Sequence, residues 1–267
     1  MTRTPFRSVF ISDVHLGLAD CQARYLLGFL RSMQCERLYL VGDIVDFENM
    51  AARPYWHADH SAVVAEILAI AARGTKVVYI PGNHDANVRL FAGQRIGGVE
   101  IALAAVHVGA DGRRYRVSHG DEFDGEHDAP PWLLRLGDAL QNVVCSGSRR
   151  VNMLRRRFGL GYVPLSIRIK QAIARARRFI EDFESRVAED ARRAGFDGHI
   201  CGHIHYGRIA DRDGVLYVND GDWVEHCTAL VEHADGALEL LHWTGRPQSL
   251  ALNPAQDLPP QALPAAA

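Results

Sequence analysis

The sequence predicts an α/β fold with a layered core, helices covering a sheet, and a helical insertion. Three observations predict it. Short apolar runs alternate with amphipathic stretches over the first 120 residues, the strand pattern stops between about 130 and 194, and it resumes from 199 to 243. Runs at 8–12, 37–41, 76–80 and 115–118 are rich in Val, Ile, Tyr and Phe, as strands are. Between them, residues 20–33 carry Tyr25, Leu26, Phe29 and Leu30 on one helical stripe, and 60–72 carry Val63, Val64, Ile67 and Leu68. This β-α-β order implies helices packed on a sheet.

In the insertion, Trp132, Leu133, Leu136, Leu140, Val143 and Val144 recur at helical spacing. So do Ile169, Ile173, Ala176, Ile180, Phe183 and Val187, with Pro164 near that helix's start. Strand patterns return at 199–201, 215–218, 228–231 and 238–243, and Asp213-Gly214 and Asp235-Gly236 have hairpin-turn chemistry. The expected organisation is one domain over 1–245, a helical lid at about 130–194, and a disordered Pro/Ala-rich tail over 246–267.

A length of 267 residues with 48% hydrophobic content supports a sizeable core. A net charge of -2 argues against a general nucleic-acid binder. The five cysteines (Cys21, Cys35, Cys145, Cys201, Cys227) are scattered and form no C-x-x-C pair. That excludes a disulfide framework and points to a reducing cytoplasm. Cys201 ends an apolar run and is expected to be a buried small hydrophobe. No signal peptide or bilayer-spanning stretch is expected.

Five motifs each follow an apolar run immediately: Asp13-Val14-His15, Gly42-Asp43-Ile44-Val45-Asp46, Gly82-Asn83-His84-Asp85, His119-Gly120-Asp121 and Gly202-His203-Ile204-His205. Layered α/β folds gather ligand sites at the carboxyl ends of strands. Together Asp13, His15, Asp43, Asn83, His119, His203 and His205 offer two carboxylates, four imidazoles and one amide oxygen, without a thiolate. That mixture suits Mn²⁺, Fe or Zn²⁺. Seven donors exceed one tetrahedral ion and fit two ions that activate water for in-line attack on phosphorus. Any one motif alone is an ordinary turn, whereas five in this order are not an accident. His84 is suited to protonate a leaving oxygen, with Asp85 expected to hold its other ring nitrogen. Asp46 is expected behind the ligands. Asp121 and Asp124 either orient His119 or solvate a loop, and Asp220, Asp222 and Glu225 take no definite role.

The series DVH, GDIVD, GNHD, HGD and GHIH resembles the calcineurin-like metallophosphoesterase superfamily. The resemblance spans residues 13–205 and implies an αββα sandwich. It implies one ion on Asp13, His15 and His205, a second on Asn83, His119 and His203, and Asp43 as the bridge. The flanking FISDVH, YLVGDIVDF, VSHGDEFDG and NDGDWVE resemble the UDP-2,3-diacylglucosamine pyrophosphatase branch, which releases UMP and a lipid monophosphate in lipid A synthesis. The best-known members of that branch carry arginine where this chain has His84. The GNHD form is shared with the wider superfamily.

Residues 146–193 hold 13 Lys/Arg against 5 Asp/Glu, a local net of +8. Arg177 with Glu181 and Arg178 with Asp182 are i,i+4 pairs of a solvated helix. Arg149, Arg150, Arg155, Arg156 and Arg157 have no such partners, and Val151, Met153, Leu154 and Phe158 lie between them. This pattern suits an anionic lipid-like substrate or peripheral contact with the inner membrane. The expected substrate is therefore a nucleotide-lipid pyrophosphate. A nuclease or general phosphodiesterase is the second reading, disfavoured by the few aromatics available for base stacking. A catalytically silent interaction module is the third, disfavoured by the full set of ligand residues.

Overall fold

A computed structural model describes residues 3–124, 174–245 and 247–249. Two sheets face one another between layers of helix. The eight-stranded sheet has the order β13-β12-β11-β1-β2-β3-β5-β4, and the five-stranded sheet β6-β7-β8-β10-β9. In the first sheet β1 (Thr4–Ile11), β2 (Met33–Val41), β3 (Lys76–Ile80) and β5 (Val99–Ile101) run parallel, while β4 (Arg95–Ile96), β11 (Thr228–Glu232), β12 (Leu238–Trp243) and β13 (Pro247–Ser249) pair antiparallel. The second holds β6 (Ala105–Val108), β7 (Arg114–Val117), β8 (Gly198–Cys201), β9 (Arg208–Arg212) and β10 (Val215–Asn219).

The period of two along each central strand builds the layers. Val9 and Ile11 of β1, Leu38 and Leu40 of β2 and Val77 of β3 face the helices α1 (Ala23–Ser32) and α3 (Ala58–Ala72), where Leu26, Leu30, Val63, Ile67 and Ile70 meet them. Phe10, Tyr39, Val41, Val78 and Ile80 point the other way, onto Tyr115, Val117, Ile200 and Val218 of the second sheet. Phe10 and Tyr39 stack there with ring centroids 4.7 Å apart. Each such side chain contributes about 1.5–3 kcal/mol by burial. On the outer face of the second sheet, Phe183 and Val187 of α4 (Ala174–Arg193) pack on Cys201 and Tyr217. The result is the αββα sandwich, and Cys201 is buried as expected.

Several expectations are corrected. The first helix stops at Ser32 and β2 begins at Met33 without a linker, so the strand is four residues longer than its apolar run. The short helix α2 (Phe47–Ala52), capped by Asp46 Oδ1 accepting from Asn49 N at 2.8 Å, falls where no helical stripe exists. β4 and β9 are edge strands with little apolar signature, and β6 (AVHV) is an apolar edge strand of four residues that the expected strands did not include. β13 extends the sheet past residue 245, so the expected start of the tail belongs to the fold. Of the expected lid, α4 from Ala174 is helical. Its earlier part, with Arg149, Arg150, Arg155, Arg156 and Arg157, lies outside the described residues, as does the tail beyond 249. Among the described residues, no helix is long and apolar enough to cross a membrane.

Candidate metal centre

The ligand motifs meet where the carboxyl ends of β1, β2, β3, β7 and β8 converge along the seam between the sheets. The loops after β1 and β2 are tied backbone to backbone: Asp13 N donates to Gly42 O at 3.0 Å, and Val14 N and His15 N both donate to Asp43 O at 2.9 Å. Across the seam, Gly202 N donates to His119 O at 3.0 Å. Asp13, His15, Asp43, His203 and His205 all have positive φ, between 49° and 70°. The left-handed region disfavours side chains by roughly 1–2 kcal/mol per residue, and five such residues in one site mark backbone bent to aim donors. Gly42, with φ 86°, follows the same turn, and a Cβ there would strike the His119 ring.

Among the described residues three groups of donors form, of which one is His15, Asp46 and His84 and the other two are made wholly of expected ligands. Asp13, His15 and His205 offer ligand atoms within 4.8 Å of one another, and so do Asp13, Asp43 and His119. The Nε2 atoms of His15 and His205 lie 3.3 Å apart. Asp43 Oδ2 stands between the groups, 3.9 Å from His15 Nε2 and 3.3 Å from His119 Nε2. Asn83 Oδ1 is 3.3 Å from His119 Nε2. Nitrogens facing away are already used: His119 Nδ1–H donates to Val41 O at 2.8 Å, and His15 Nδ1–H to Asp46 Oδ2 at 3.1 Å. Each ring therefore presents Nε2 to the centre. Asp13 Oδ1 is buried and faces His205 Nε2 at 3.0 Å and His15 Nε2 at 3.9 Å, with no hydroxyl or backbone N–H on it. A buried oxygen met only by imidazole nitrogens, beside a second carboxylate, suits a divalent ion.

The electrostatics agree with that fit. Burial alone would raise the Asp43 carboxyl and lower the His119 imidazole, but each outweighs the other's burial. Asp43 is held well below the usual carboxylate range, and His119 is raised to about 10. The proton on His119 balances the Asp43 carboxylate, a balance that cations would supply instead.

His203 is placed differently. Its Nε2 lies 2.9 Å from both oxygens of Asp124, and its ring meets His119 edge-on at 5.1 Å. Asp124 thus orients His203, whereas Asp121 pairs with Arg89 Nη2 at 2.6 Å; neither touches His119. The expectation for Asp85 is corrected. Its carboxylate accepts from Gly82 N at 2.5 Å, Ile44 N at 2.7 Å and the Tyr79 hydroxyl, so it braces the loops and does not hold His84. Asp46 holds His84 instead, with Oδ1 3.1 Å from Nδ1. Burial lowers the His84 pKa, but Asp46 and Asp43 overcome it and raise it to about 9. Asp222 organises its own turn by accepting from the backbone N–H groups of Val224, Glu225 and His226. Asp222 also pairs with the His226 ring four residues on, whereas the buried role of Asp220 has no signal in the sequence, because its partner Ser12 comes from another segment.

Residues 6–207 match the calcineurin-like phosphoesterase family. The chain belongs to that family. As a calcineurin-like phosphoesterase it is a metal-dependent phosphoester hydrolase. Similar solved structures include wild-type Vps29 of Entamoeba histolytica complexed with zinc (14% identity, 91% of this chain and 96% of that one, TM-score 0.43). The phosphopantetheinyl hydrolase of Mycobacterium tuberculosis is another (16% identity, 84% and 92%, TM-score 0.41). A novel archaeal phosphodiesterase is a third (14% identity, 91% and 99%, TM-score 0.37). No curated protein matches the chain significantly.

Proposed function

We propose that this calcineurin-like phosphoesterase uses two divalent ions to hydrolyse a nucleotide-lipid pyrophosphate, with UDP-2,3-diacylglucosamine cleaved to UMP and a lipid monophosphate. The observation that carries the two-ion reading is Asp43 Oδ2 standing between His15 Nε2 and His119 Nε2. Asp13, His15 and His205 would hold one ion; Asn83, His119 and His203 the other, with Asp43 shared. His203, its Nε2 taken by Asp124, has Nδ1 left as donor. The donor set favours Mn²⁺, with Fe or Zn²⁺ as alternatives. Bound ions supply polarisation of the phosphoryl oxygens and a water of lowered pKa.

The chain's own residues supply the rest. Asp46 holds His84 Nδ1, leaving Nε2 to face substrate, and keeps the ring protonated at neutral pH in the metal-free state. His84 therefore stabilises a phosphoryl oxygen and delivers a proton to the departing one. The lipid half of the proposal is supported by FISDVH, YLVGDIVDF, VSHGDEFDG and NDGDWVE and by the basic segment with Arg149, Arg150, Arg155, Arg156 and Arg157. Those arginines would bind the anionic head group or a membrane surface in the cytoplasm.

The test is UMP release from UDP-2,3-diacylglucosamine by Mn²⁺-loaded protein, beside a small phosphodiester and single-stranded DNA. Rapid UMP release is expected. Turnover of the diester or DNA without the lipid would sink the lipid substrate and leave a general phosphodiesterase. Silence with every metal and substrate would favour the interaction module.

A further inference from the structure

Behind the ligands, a buried polar strap joins the ends of three strands. Ser12, Asp13, Asn219 and Asp220 are at most 1% exposed. Ser12 Oγ touches Asp13 Oδ2 and lies 2.5 Å from Asp220 Oδ1. Asn219, at the end of β10, donates Nδ2–H to Gly202 O at 2.5 Å and accepts from Gly221 N at 3.0 Å. Gly202 is pressed into the same joint, where a Cβ would strike Ser12 Oγ and Asp13 Oδ2. His203 N completes it by donating to Asp13 Oδ2 at 2.9 Å.

A serine hydroxyl carries a single proton. Once Ser12 donates to Asp13, its short contact with Asp220 requires a proton on Asp220, which donates to Oγ in turn. Burial, reinforced by the nearby Asp13 charge, raises the Asp220 carboxyl well above its usual range although the Ser12 hydrogen bond pulls the other way. A neutral acid is also the less costly occupant of a buried position beside another carboxylate.

We propose that Asp220 is a positioning residue for Asp13: through Ser12 it saturates Oδ2 and leaves Oδ1 turned to the ion-binding side, against His205 and His15. The inference rests on the metal-site reading above. Its mark is the asymmetry of Asp13. Oδ2 receives the Ser12 hydroxyl and His203 N, while Oδ1 receives neither and faces only the imidazole nitrogens, 3.0 Å from His205 Nε2 and 3.9 Å from His15 Nε2. Asp220 touches neither ion nor substrate; it sets which oxygen can.

Mn²⁺ titration of the full chain by calorimetry, with electron paramagnetic resonance of the bound ions, tests this. Ser12→Ala and Asp220→Ala should each weaken the ion on Asp13 by about 10–100-fold, the usual effect of losing a partner behind a ligand, and abolish the spin-coupled pair while one ion stays bound. Asp220→Asn should bind within about twofold of the wild type, because its amide N–H replaces the acid's O–H toward Ser12. Melting temperatures of the metal-free variants distinguish loss of the strap from loss of the fold, and Ser12→Ala removes only one oxygen. An Asn variant as impaired as the Ala variant would overturn the inference, since the charge would then be what matters. So would wild-type binding in Ser12→Ala. A wild type that binds no Mn²⁺ would sink the metal-site reading together with this one.

Discussion

The two sheets bring different chemistry to the seam. The first sheet's loops carry every oxygen donor, Asp13, Asp43 and Asn83, together with His15. The second sheet's loops carry only imidazoles, His119, His203 and His205. The first group is laced together by backbone hydrogen bonds between the β1 and β2 loops, and its carboxylates are buried. On the other side His203 and His205 are only half-buried, at the mouth of the site. Anions are placed where peptide N–H groups can hold them without an ion: His84 N donates to Asp43 Oδ1 at 2.8 Å and His203 N to Asp13 Oδ2 at 2.9 Å. The imidazoles are held through a ring nitrogen instead, His119 by Val41 O and His203 by Asp124. The first side is a charged base laced by backbone, and the second an imidazole cover that opens to the mouth through His203 and His205.

Substitutions on the two sides should separate accordingly. The largest effect is expected at the base. Asp43→Ala should reduce turnover on the order of 10³-fold or more, because it removes the oxygen between the two donor groups; stopped-flow or product assays at saturating Mn²⁺ check this. Next, His84→Gln should lower turnover about 10²-fold with Mn²⁺ affinity unchanged. Equal loss of affinity and turnover would instead make His84 a ligand. Asp46→Ala releases both His15 and His84 and should weaken metal binding about 10-fold, measured by calorimetry. On the cover, Asp124→Ala frees His203 while leaving its donor atoms in place. A fall of only a few-fold is expected there, and a loss as large as that of Asp46→Ala would refute the division between base and cover.

The smallest effect concerns stability under the cover. His199, in the central strand β8 of the second sheet, is buried with Nε2 2.8 Å from Ser118 Oγ and Nδ1 without a hydrogen-bond partner. Burial lowers its pKa to about 3 from the ordinary 6.5. Between those values the unfolded chain takes up a proton that the folded chain refuses, so stability is present above pH 6.5 and is lost as the pH falls toward 3. Urea midpoints of His199→Gln should therefore decline less steeply than the wild type's from pH 6.5 to 5. Parallel slopes would show that other groups govern the acid limb.

The base was also the more legible half. Near-continuous apolar runs in β1, β2 and β3 reflect burial on both faces, and DVH, GDIVD and GNHD stand directly at the strand ends. β9, with the sequence RIADR, and β4, with two exposed residues, form through backbone pairing that leaves no apolar trace. The ligand residues were visible as motifs, but their assignments were not all so. Asp85 adjoins His84 in sequence while Asp46 lies 38 residues away, and only the fold decides that Asp46 takes the ring while Asp85 takes three backbone N–H groups and Tyr79. Asp220 is invisible for the same reason: its partner Ser12 is 208 residues away.

The left-handed ligand residues have a further consequence. Glycine adopts that backbone without the penalty a side chain incurs, so Asp13→Gly, His15→Gly or His205→Gly relieves local strain. The same change removes hydrogen bonds that tie the loops, Asp13 Oδ2 with His203 N and His15 Nδ1 with Asp46. The donors therefore help to hold the bent backbone that aims them, and the centre and the seam between the sheets stand or fall together.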